Sequence, residues 1–323
     1  MYCIVSPFSK TFDNKGLIYF VPENIIPDIK EGLAVQIPLK NQIEIGIVLK
    51  IIEEKDIDID PKKIKSLIGV QNKNILLSSY QIYLAFWISK YYFCQIHSSI
   101  NLFLPKSIRE KLKKGKLNDL IEKEKTQKEE KIITKNNIKL SKKQEISYNE
   151  ILKSKNQKIL FYGITGSGKT EIYIKLIEKY IAEGKQALLL IPEIILNNQI
   201  GEKIISYFGK EVLIINSSIT DSTKAKYWTK IYLGKAKIIV GTRSSLFYPY
   251  KNLGIIIIDE QHDNSYISDK NPKFKTGDVV EKISELKKIK VVFASGTPSI
   301  NYMYRAIKKE LNLVNLLEKY NSK

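Results

Sequence analysis

The feature that most constrains the fold of this chain is a glycine-rich run between an apolar segment and a helix-forming segment. The run is Gly163-Ile164-Thr165-Gly166-Ser167-Gly168-Lys169-Thr170, and the apolar segment is residues 158–162. In a GxxxxGKT loop between a strand and a helix, backbone N–H groups curl around phosphate oxygens, and the helix N-terminus adds partial positive charge. The sequence therefore predicts binding of a nucleoside triphosphate. The alternative is a chance match on a tight turn.

Two side chains of this loop have roles that follow from the pattern. Lys169 is expected to reach the β- and γ-phosphates, and Thr170 is expected to hold Mg²⁺. The predicted cofactors are therefore ATP and Mg²⁺. The other loop residues expected to contact the nucleotide are Gly163, Thr165, Gly166, Ser167 and Gly168.

The region around the loop alternates apolar strands with helices. A helix is predicted over residues 171–183, where Gly184 ends it. Apolar strands that alternate with helices indicate a parallel sheet covered on both faces, so the predicted fold class is α/β. The predicted strands are residues 158–162, 187–191, 212–215, 237–240, 255–258 and 291–294.

An acidic motif stands at the end of one apolar strand. The isoleucines at 255–258 are followed by Asp259 and Glu260, with His262 two residues further on. Asp259 is expected to hold Mg²⁺ through water, and Glu260 to orient or deprotonate the attacking water. These two acids and Lys169 are the candidate catalytic residues. Alone, His262 would be a surface histidine, but after Asp-Glu in a phosphate-loop protein it indicates the Asp-Glu-x-His motif of superfamily 2 helicases.

Two further strand ends fit the same class of protein. Ser295 and Thr297, in an Ala-Ser-Gly-Thr-Pro run, stand where such helicases couple hydrolysis to DNA, and His262 is expected to act with them. Thr242 and Arg243 follow another strand, and their hydroxyl and N–H groups suit contacts to DNA backbone phosphates. Each segment alone is equally well explained as an ordinary turn between a strand and a helix.

Composition divides the chain into three regions. Residues 1–104 combine short strands, broken by turn residues, with an aromatic-rich helical stretch at 76–104, which predicts a small β-barrel with helices. Residues 105–139 are dense in Lys and Glu, which predicts a solvated helix or a flexible linker. Residues 140–323 form the α/β domain. The aromatic stripe around Trp87 favours core packing over base stacking.

The charge of the chain indicates a polyanionic partner. The formal net charge is +19, and lysines that neutralise phosphates give salt-dependent affinity for nucleic acid. Because nearly all of the basic residues are lysine, compositional drift of the genome explains the same excess.

The remaining compositional features exclude several classes of protein. Cys3 and Cys94 are far apart and have no CxxC partner, so neither a disulfide framework nor a zinc site is predicted, and a cytoplasmic location is expected. No segment reads as a secretory signal or as a membrane span, so no membrane partner is expected.

Taken together, the motifs resemble a known family. The runs GITGSGKTEIY at 163–173, GKQA at 184–187, IPEI at 191–194, GTRSSLF at 241–247 and DEQHDNSY at 259–266 resemble the PriA, or primosomal protein N′, family of replication-restart DNA helicases. The runs TFD at 11–13 and IGIV at 45–48 resemble the family's N-terminal domain, which binds the 3′ end of the leading strand at a stalled fork. The resemblance implies a RecA-like parallel-sheet ATPase lobe preceded by a small β-barrel DNA-binding domain.

The resemblance also implies roles for single residues. Phe12, Asp13 and Lys65 would hold the terminal nucleotide and its 3′-OH, since the Asp13 carboxylate can accept a hydrogen bond from a free hydroxyl. Without the family, Asp13 would be a turn or helix-capping aspartate. Gln144 resembles the glutamine that reads adenine.

A loop that senses single-stranded DNA is implied as well. Tyr266 and Phe274 fall in what resembles the family's aromatic-rich loop, where bases stack on rings, although either residue could instead pack internally. The implied partners are branched forks, single-stranded DNA and the nascent 3′ end. Primosome proteins, single-strand-binding protein, or a separate chain carrying a second helicase lobe are the implied protein partners.

The departures from the family limit what the resemblance implies. The family has a winged-helix domain where residues 105–139 stand, and Lys40 and Gly277 replace a usual glycine and a usual arginine. The chain stops at Lys323, after the first lobe, so slow hydrolysis and no translocation by this chain alone are expected. The function implied is an ATP-dependent 3′-to-5′ DNA helicase of replication restart. The alternatives are a non-enzymatic fork- and ATP-binding remnant and a phosphate-loop ATPase unrelated to DNA.

Overall fold

The computed structural model describes residues 1–10, 15–57, 59–127, 138–192 and 199–319. The chain divides into two units. The first comprises Met1–Thr126 with two short segments, Asp221–Lys226 and Asp269–Phe274, and the second comprises the remainder. Within the described ranges, no helix is long and apolar enough to cross a membrane.

The first unit is built on an antiparallel sheet. Its strands are β1 (Tyr2–Pro7), β2 (Leu17–Phe20), β3 (Ala34–Leu39), β4 (Gln42–Ile52) and β5 (Gly69–Asn72). They lie in the order β2-β1-β4-β3-β5. The two edges approach each other, because Phe20 of β2 makes backbone hydrogen bonds with Lys65 and Leu67, close before β5. The sheet curls accordingly, and the small β domain that the sequence predicts is confirmed.

The core of this unit comes from apolar side chains along the strands. Val5, Val35, Ile37 and Val48 are fully buried on its inner face. Where β4 passes β1, the chain requires a glycine, since a Cβ on Gly46 would come within 2.4 Å of Val5 Cγ1. The pattern of branched residues thus fixes which face of the sheet is buried.

Four helices follow the sheet in this unit. They are α1 (Ser79–Tyr91), α2 (Ile96–Phe103), α3 (Lys106–Lys113) and α4 (Leu117–Thr126). The first two occupy the single helical stretch that the sequence predicts over residues 76–104.

Helices α3 and α4 lie within the stretch that was expected to be solvated. Ile108 and Leu112 of α3, and Leu117 and Ile121 of α4, are buried. The expectation of a solvated segment does not hold for residues 106–126, because apolar residues four apart give each helix a narrow apolar face among the lysines. Residues 128–137 lie outside the described ranges, and the domain boundaries stay a prediction.

The second unit contains a sheet of seven parallel strands. They are β6 (Lys158–Gly163), β7 (Gln186–Leu190), β8 (Val212–Ile215), β9 (Ile238–Gly241), β10 (Leu253–Ile258), β11 (Lys290–Ser295) and β12 (Asn312–Leu316). The order is β12-β6-β11-β10-β7-β9-β8. The α/β fold class is confirmed. The sequence does not predict β12, because asparagines interrupt its short apolar pattern.

Helices accompany these strands. They are α5 (Lys142–Lys153), α6 (Lys169–Ala182), α7 (Gln199–Phe208), α8 (Asp221–Tyr232), α9 (Thr276–Lys287) and α10 (Ile300–Ile307). All six residues of β10 are buried, which is why this strand reads as a continuous apolar run instead of an alternating one.

A buried lysine ties the sheet to helix α5. Lys290, at the start of β11, is 6% exposed. Its Nζ donates hydrogen bonds to the carbonyl oxygens of Ile151, Leu152 and Ser154, at 2.7, 3.0 and 3.1 Å. These carbonyls end α5 and have no partner within the helix, so the ammonium group both satisfies and caps that end.

We predict that Lys290→Met lowers the free energy of unfolding by about 2 kcal/mol, because it removes charged hydrogen bonds to buried carbonyls while keeping the side-chain stem. Urea denaturation followed by circular dichroism measures the change. Lys153→Met, an exposed lysine at the same helix end, is the control and should change stability by less than about 0.5 kcal/mol. Equal effects of the two substitutions would contradict the capping role of Lys290.

Candidate functional site

Four loops meet at one edge of the parallel sheet. Since β6, β9, β10 and β11 are parallel, their carboxyl ends share an edge, and the segments that follow them lie together there. The residues that the sequence predicts for nucleotide chemistry stand in these segments or at the start of α6, apart from Gln144 in α5. The topology therefore assembles the predicted site.

The glycine-rich loop has the backbone conformation that its pattern requires. Gly166 and Gly168 have φ values of +78° and +84°, a left-handed conformation that side chains disfavour. Gly168 is also the residue before α6 begins at Lys169, and a Cβ there would lie 2.1 Å from Gln144 Nε2. Thr165 and Gly166 are exposed at the tip of the loop.

The loop offers groups that fit a phosphate. Ser167 Oγ is buried and has no hydrogen-bond partner among the described residues. Lys169 Nζ donates to the carbonyl oxygen of Gly163 at 2.7 Å and lies 3.9 Å from Glu260 Oε1. Thr170, the second residue of α6, follows directly. A buried hydroxyl, an ammonium group and a helix N-terminus converge here, which is the donor set that a triphosphate needs.

Gln144 lies beneath this loop and is 1% exposed. Its Oε1 accepts a hydrogen bond from Ser141 N–H at 2.8 Å, which completes a capping box at the start of α5. Its Nε2 lies 3.4 Å from the carbonyl oxygen of Ser167 and 3.3 Å from that of Gly168. Gln144 thus braces the phosphate loop, and its reading of adenine stays a prediction.

Asp259 is a buried carboxylate at the end of β10. It is 1% exposed, and Tyr173 of α6 donates its hydroxyl hydrogen to Asp259 Oδ1 at 2.7 Å. Burial raises the pKa of Asp259 to about 6, while the Tyr173 hydrogen bond and the charge of Lys169 oppose that rise. A carboxylate in this position fits Mg²⁺, which is commonly bound by one or two carboxylates together with substrate phosphates.

The sequence gives Tyr173 no role, although it stands four residues after Lys169. A tyrosine in the first turns of a helix reads as core, and this one is fully buried. Only the fold shows that its hydroxyl meets Asp259. A signal was present in the spacing, because residues 169 and 173 share one face of α6.

The aromatic residues predicted to sense DNA are packed inside the structure. Tyr266 is 5% exposed and Phe274 is 4% exposed. The Tyr266 hydroxyl donates to the carbonyl oxygen of Asp259 at 2.7 Å. A buried ring offers no free face to a base in this conformation. DNA binding by this loop stays a prediction.

Arg243 makes contacts that the sequence does not predict. Its Nη1 donates to the carbonyl oxygens of Ser265 and Ile267, each at 2.6 Å, on either side of Tyr266. The neighbouring Thr242 hydroxyl lies 3.3 Å from that of Ser244. Arg243 thus connects the segment after β9 to the segment after the acidic motif, and its contact with DNA phosphates stays a prediction.

The structure brings the predicted coupling residues together. His262 Nδ1 lies 2.8 Å from Ser295 Oγ, and His262 Nε2 lies 3.4 Å from Thr297 Oγ1. Ser295 Oγ also accepts a hydrogen bond from Thr297 N–H at 2.9 Å. Glu260 has a φ of +44°, and its Oε2 lies 3.5 Å from His262 Nδ1. The ends of β10 and β11 are thereby joined beside the catalytic candidates.

The first unit has a cavity of about 590 Å³ on its curled sheet. The lysines in its lining are Lys15, Lys40, Lys50, Lys63 and Lys65. Lys65 is thus placed in a basic cavity, as a residue that holds a nucleotide requires. Phe12 and Asp13 lie outside the described residues, so their part in the site stays a prediction.

Comparison with known proteins agrees with both regions. The family model of the DEAD/DEAH box helicases matches residues 141–305, and the model of a 3′DNA-binding domain (3′BD) matches residues 4–105. The replication restart protein PriA of Rickettsia conorii is 36% identical over 322 residues, which cover 98% of this chain and 46% of that protein. PriA of Helicobacter pylori is 33% identical over 319 residues, which cover 99% and 46%.

The Bacillus subtilis PriA is 39% identical over a shorter range of 173 residues, 53% of this chain and 22% of that protein. The chain spans about half the length of the Rickettsia and Helicobacter relatives that it matches. The 3′DNA-binding-domain model matches the first unit and the helicase model matches the second, and the PriA relatives match nearly the whole chain. These matches agree with the site described above. The chain belongs to the DEAD/DEAH box helicase family, and it resembles the PriA replication restart proteins over both of its units.

Proposed function

We propose that this chain binds Mg²⁺ and ATP in its second unit and DNA 3′ ends in its first, as part of an ATP-dependent replication-restart helicase. The observation that carries the proposal is the meeting of Lys169, Asp259 and Glu260 at the sheet edge, with Lys169 Nζ 3.9 Å from Glu260 Oε1. The match to a 3′DNA-binding domain supports the DNA half.

In the nucleotide site, residues of this chain bind the phosphates and Mg²⁺ and orient the attacking water. Lys169 and the loop N–H groups bind the phosphates, Thr170 and Asp259 hold Mg²⁺, and Glu260 orients or deprotonates the attacking water. When bound, Mg²⁺ neutralises charge that develops on the phosphate oxygens. His262, between Glu260 and Ser295, passes a change at the nucleotide to the end of β11.

In the first unit, the basic cavity binds the nascent 3′ end at a branched fork. Lys65 contacts phosphate, and Asp13 accepts a hydrogen bond from the terminal hydroxyl, which an internal phosphate cannot offer. Unwinding in the 3′-to-5′ direction requires a second lobe, which we propose a separate chain supplies. Single-stranded DNA, primosome proteins and single-strand-binding protein are the proposed further partners, and the cytoplasm is the proposed location.

We predict that the chain has DNA-stimulated ATPase activity that Lys169→Ala abolishes, with nucleotide affinity lowered at least about tenfold by loss of the ammonium group. Phosphate release and titration with a fluorescent ATP analogue measure the two effects. Lys179→Ala, an exposed lysine on the same helix, is the control. Equal ATPase activity in Lys169→Ala and Lys179→Ala, or activity that DNA does not change, would refute the proposal that the chain is a DNA-dependent ATPase. Binding without turnover would support the non-enzymatic alternative.

We predict that Tyr173→Phe lowers the affinity for ATP in the presence of Mg²⁺ by about tenfold, because Asp259 loses the hydrogen bond that the Tyr173 hydroxyl donates to it. Titrations of the ATP analogue with Mg²⁺ and with a chelator separate this from general damage. Affinity without Mg²⁺ should be unchanged, and Tyr180→Phe on the same helix should behave as wild type. A loss that is equal with and without Mg²⁺ would argue against the positioning role.

We predict tighter binding to forks with a 3′-OH than with a 3′-phosphate at the nascent end. Asp13→Ala should abolish that preference, because it removes the acceptor for the hydroxyl, while Lys65→Met should weaken binding to both ends about equally. Fluorescence anisotropy with the two fork substrates measures both effects. Equal affinity for the two ends would remove the role of Asp13, and so would a preference for the 3′-phosphate, which the lysines of the cavity alone would give.

A further inference from the structure

A group of aromatic rings lies at the end of helix α1, where Tyr91 and Phe93 are exposed and Trp87 and Tyr92 are half-buried. Trp87 and Tyr91 stack with ring centroids 4.8 Å apart and planes inclined by 17°. Tyr92 meets both of them edge-on, at 6.1 and 4.9 Å. Phe93 follows and is 96% exposed. We call Trp87, Tyr91, Tyr92 and Phe93 the aromatic platform.

Neither local conformation nor packing explains Phe93. Its φ is +51°, and Cys94 N–H donates to the Ser89 carbonyl oxygen, so Phe93 occupies the left-handed position at which helices commonly end with glycine. A phenylalanine there carries the backbone cost of that conformation, and at 96% exposure it gains almost no burial in return. A residue that costs stability in two ways is a candidate for function.

The charge of the sequence that contains and follows the platform favours a polyanion. Between Leu76 and Leu104 the sequence contains no aspartate or glutamate, and Lys90 in the last turn of α1 is exposed. The helix that follows α2, and its flanks up to Lys116, carry five lysines and Arg109 against the single acid Glu110. A protein partner with an apolar face would leave this basic surface without a complement.

The helix after the platform contacts the chain that follows β1. Asn101 of α2 donates its Nδ2 hydrogen to the carbonyl oxygen of Phe8, at 3.3 Å, so the chain leaves β1 against α2. His97 of α2 lies four residues after Phe93, and burial and the charges of Lys10 and Arg109 lower its pKa. Lys15, which lines the basic cavity, follows Lys10 by five residues in the sequence.

We propose that the aromatic platform stacks unpaired bases of single-stranded DNA next to the strand end held in the basic cavity. The proposal rests on the 3′-end function and extends it to neighbouring nucleotides. Rings receive bases of any sequence, because every base has a π-face, so the platform gives affinity without sequence preference.

The test uses the whole chain and a labelled oligothymidylate of about 15 nucleotides with a free 3′-OH. Phe93→Gly and Phe93→Leu should each weaken binding at least about fivefold, whereas Phe93→Trp should retain it. Ile43→Ala, which removes another exposed apolar side chain of this unit, is the control. Full binding by Phe93→Leu would overturn the proposal, because a leucine has no ring on which a base can stack. An absence of binding by the wild type would overturn it as well.

Two further measurements separate this proposal from others. The unfolding temperature of Phe93→Gly should be at least that of the wild type, and a fall would show that Phe93 is kept for packing. The ratio of affinities for 3′-OH and 3′-phosphate ends should be unchanged in all Phe93 variants, so its loss would implicate the cavity instead.

Tryptophan emission gives a direct readout, since the chain has two tryptophans and Trp228 is fully buried. Oligothymidylate should quench the emission of Trp87 in the wild type, and Trp87→Phe should remove that quenching. Quenching that persists in Trp87→Phe would place the bases elsewhere.

Discussion

The second unit depends on one buried carboxylate at the end of a central strand. Removing the Asp259 carboxylate from water is costly, and the fold offsets that cost with the Tyr173 hydroxyl and the nearby charge of Lys169. Both partners come from α6, the helix that the phosphate loop begins. Together with the buried apolar side chains of α6, these contacts hold that helix on the sheet, and with it the triphosphate site.

The same aspartate connects the nucleotide site to a second loop. Tyr266 binds its carbonyl oxygen, and Arg243 binds the carbonyl oxygens on both sides of Tyr266. A displacement of the segment after β9 would therefore move the backbone of the residue that is proposed to hold Mg²⁺. Interactions of this kind transmit small shifts because buried hydrogen bonds and packed rings have few alternative arrangements.

The sequence predicts those parts of the structure that short segments encode. The phosphate loop, the acidic motif and the fully apolar strand β10 are recognised because their neighbours in sequence determine them. The role of Tyr173 and the course of β12 depend on partners more than eighty residues away, which no local pattern contains. The burial of α3 and α4 is not predicted, because each helix has only two buried apolar residues among many lysines and the periodic signal is weak.

Exposure, more than residue type, distinguishes the aromatic side chains that can meet DNA. Tyr266 lies in the loop where the family resemblance predicts stacking, yet its ring is buried and its hydroxyl is engaged with Asp259. The stripe on α1 was expected to be core. Leu84 and Ile88 are buried, but Tyr83 and Tyr91 are more than half exposed, and so is Phe93 beyond the helix. A buried ring such as that of Tyr266 can move when its partners move, but a base cannot stack on it. An exposed ring that lowers stability, such as that of Phe93, is expected to persist only where it binds a ligand.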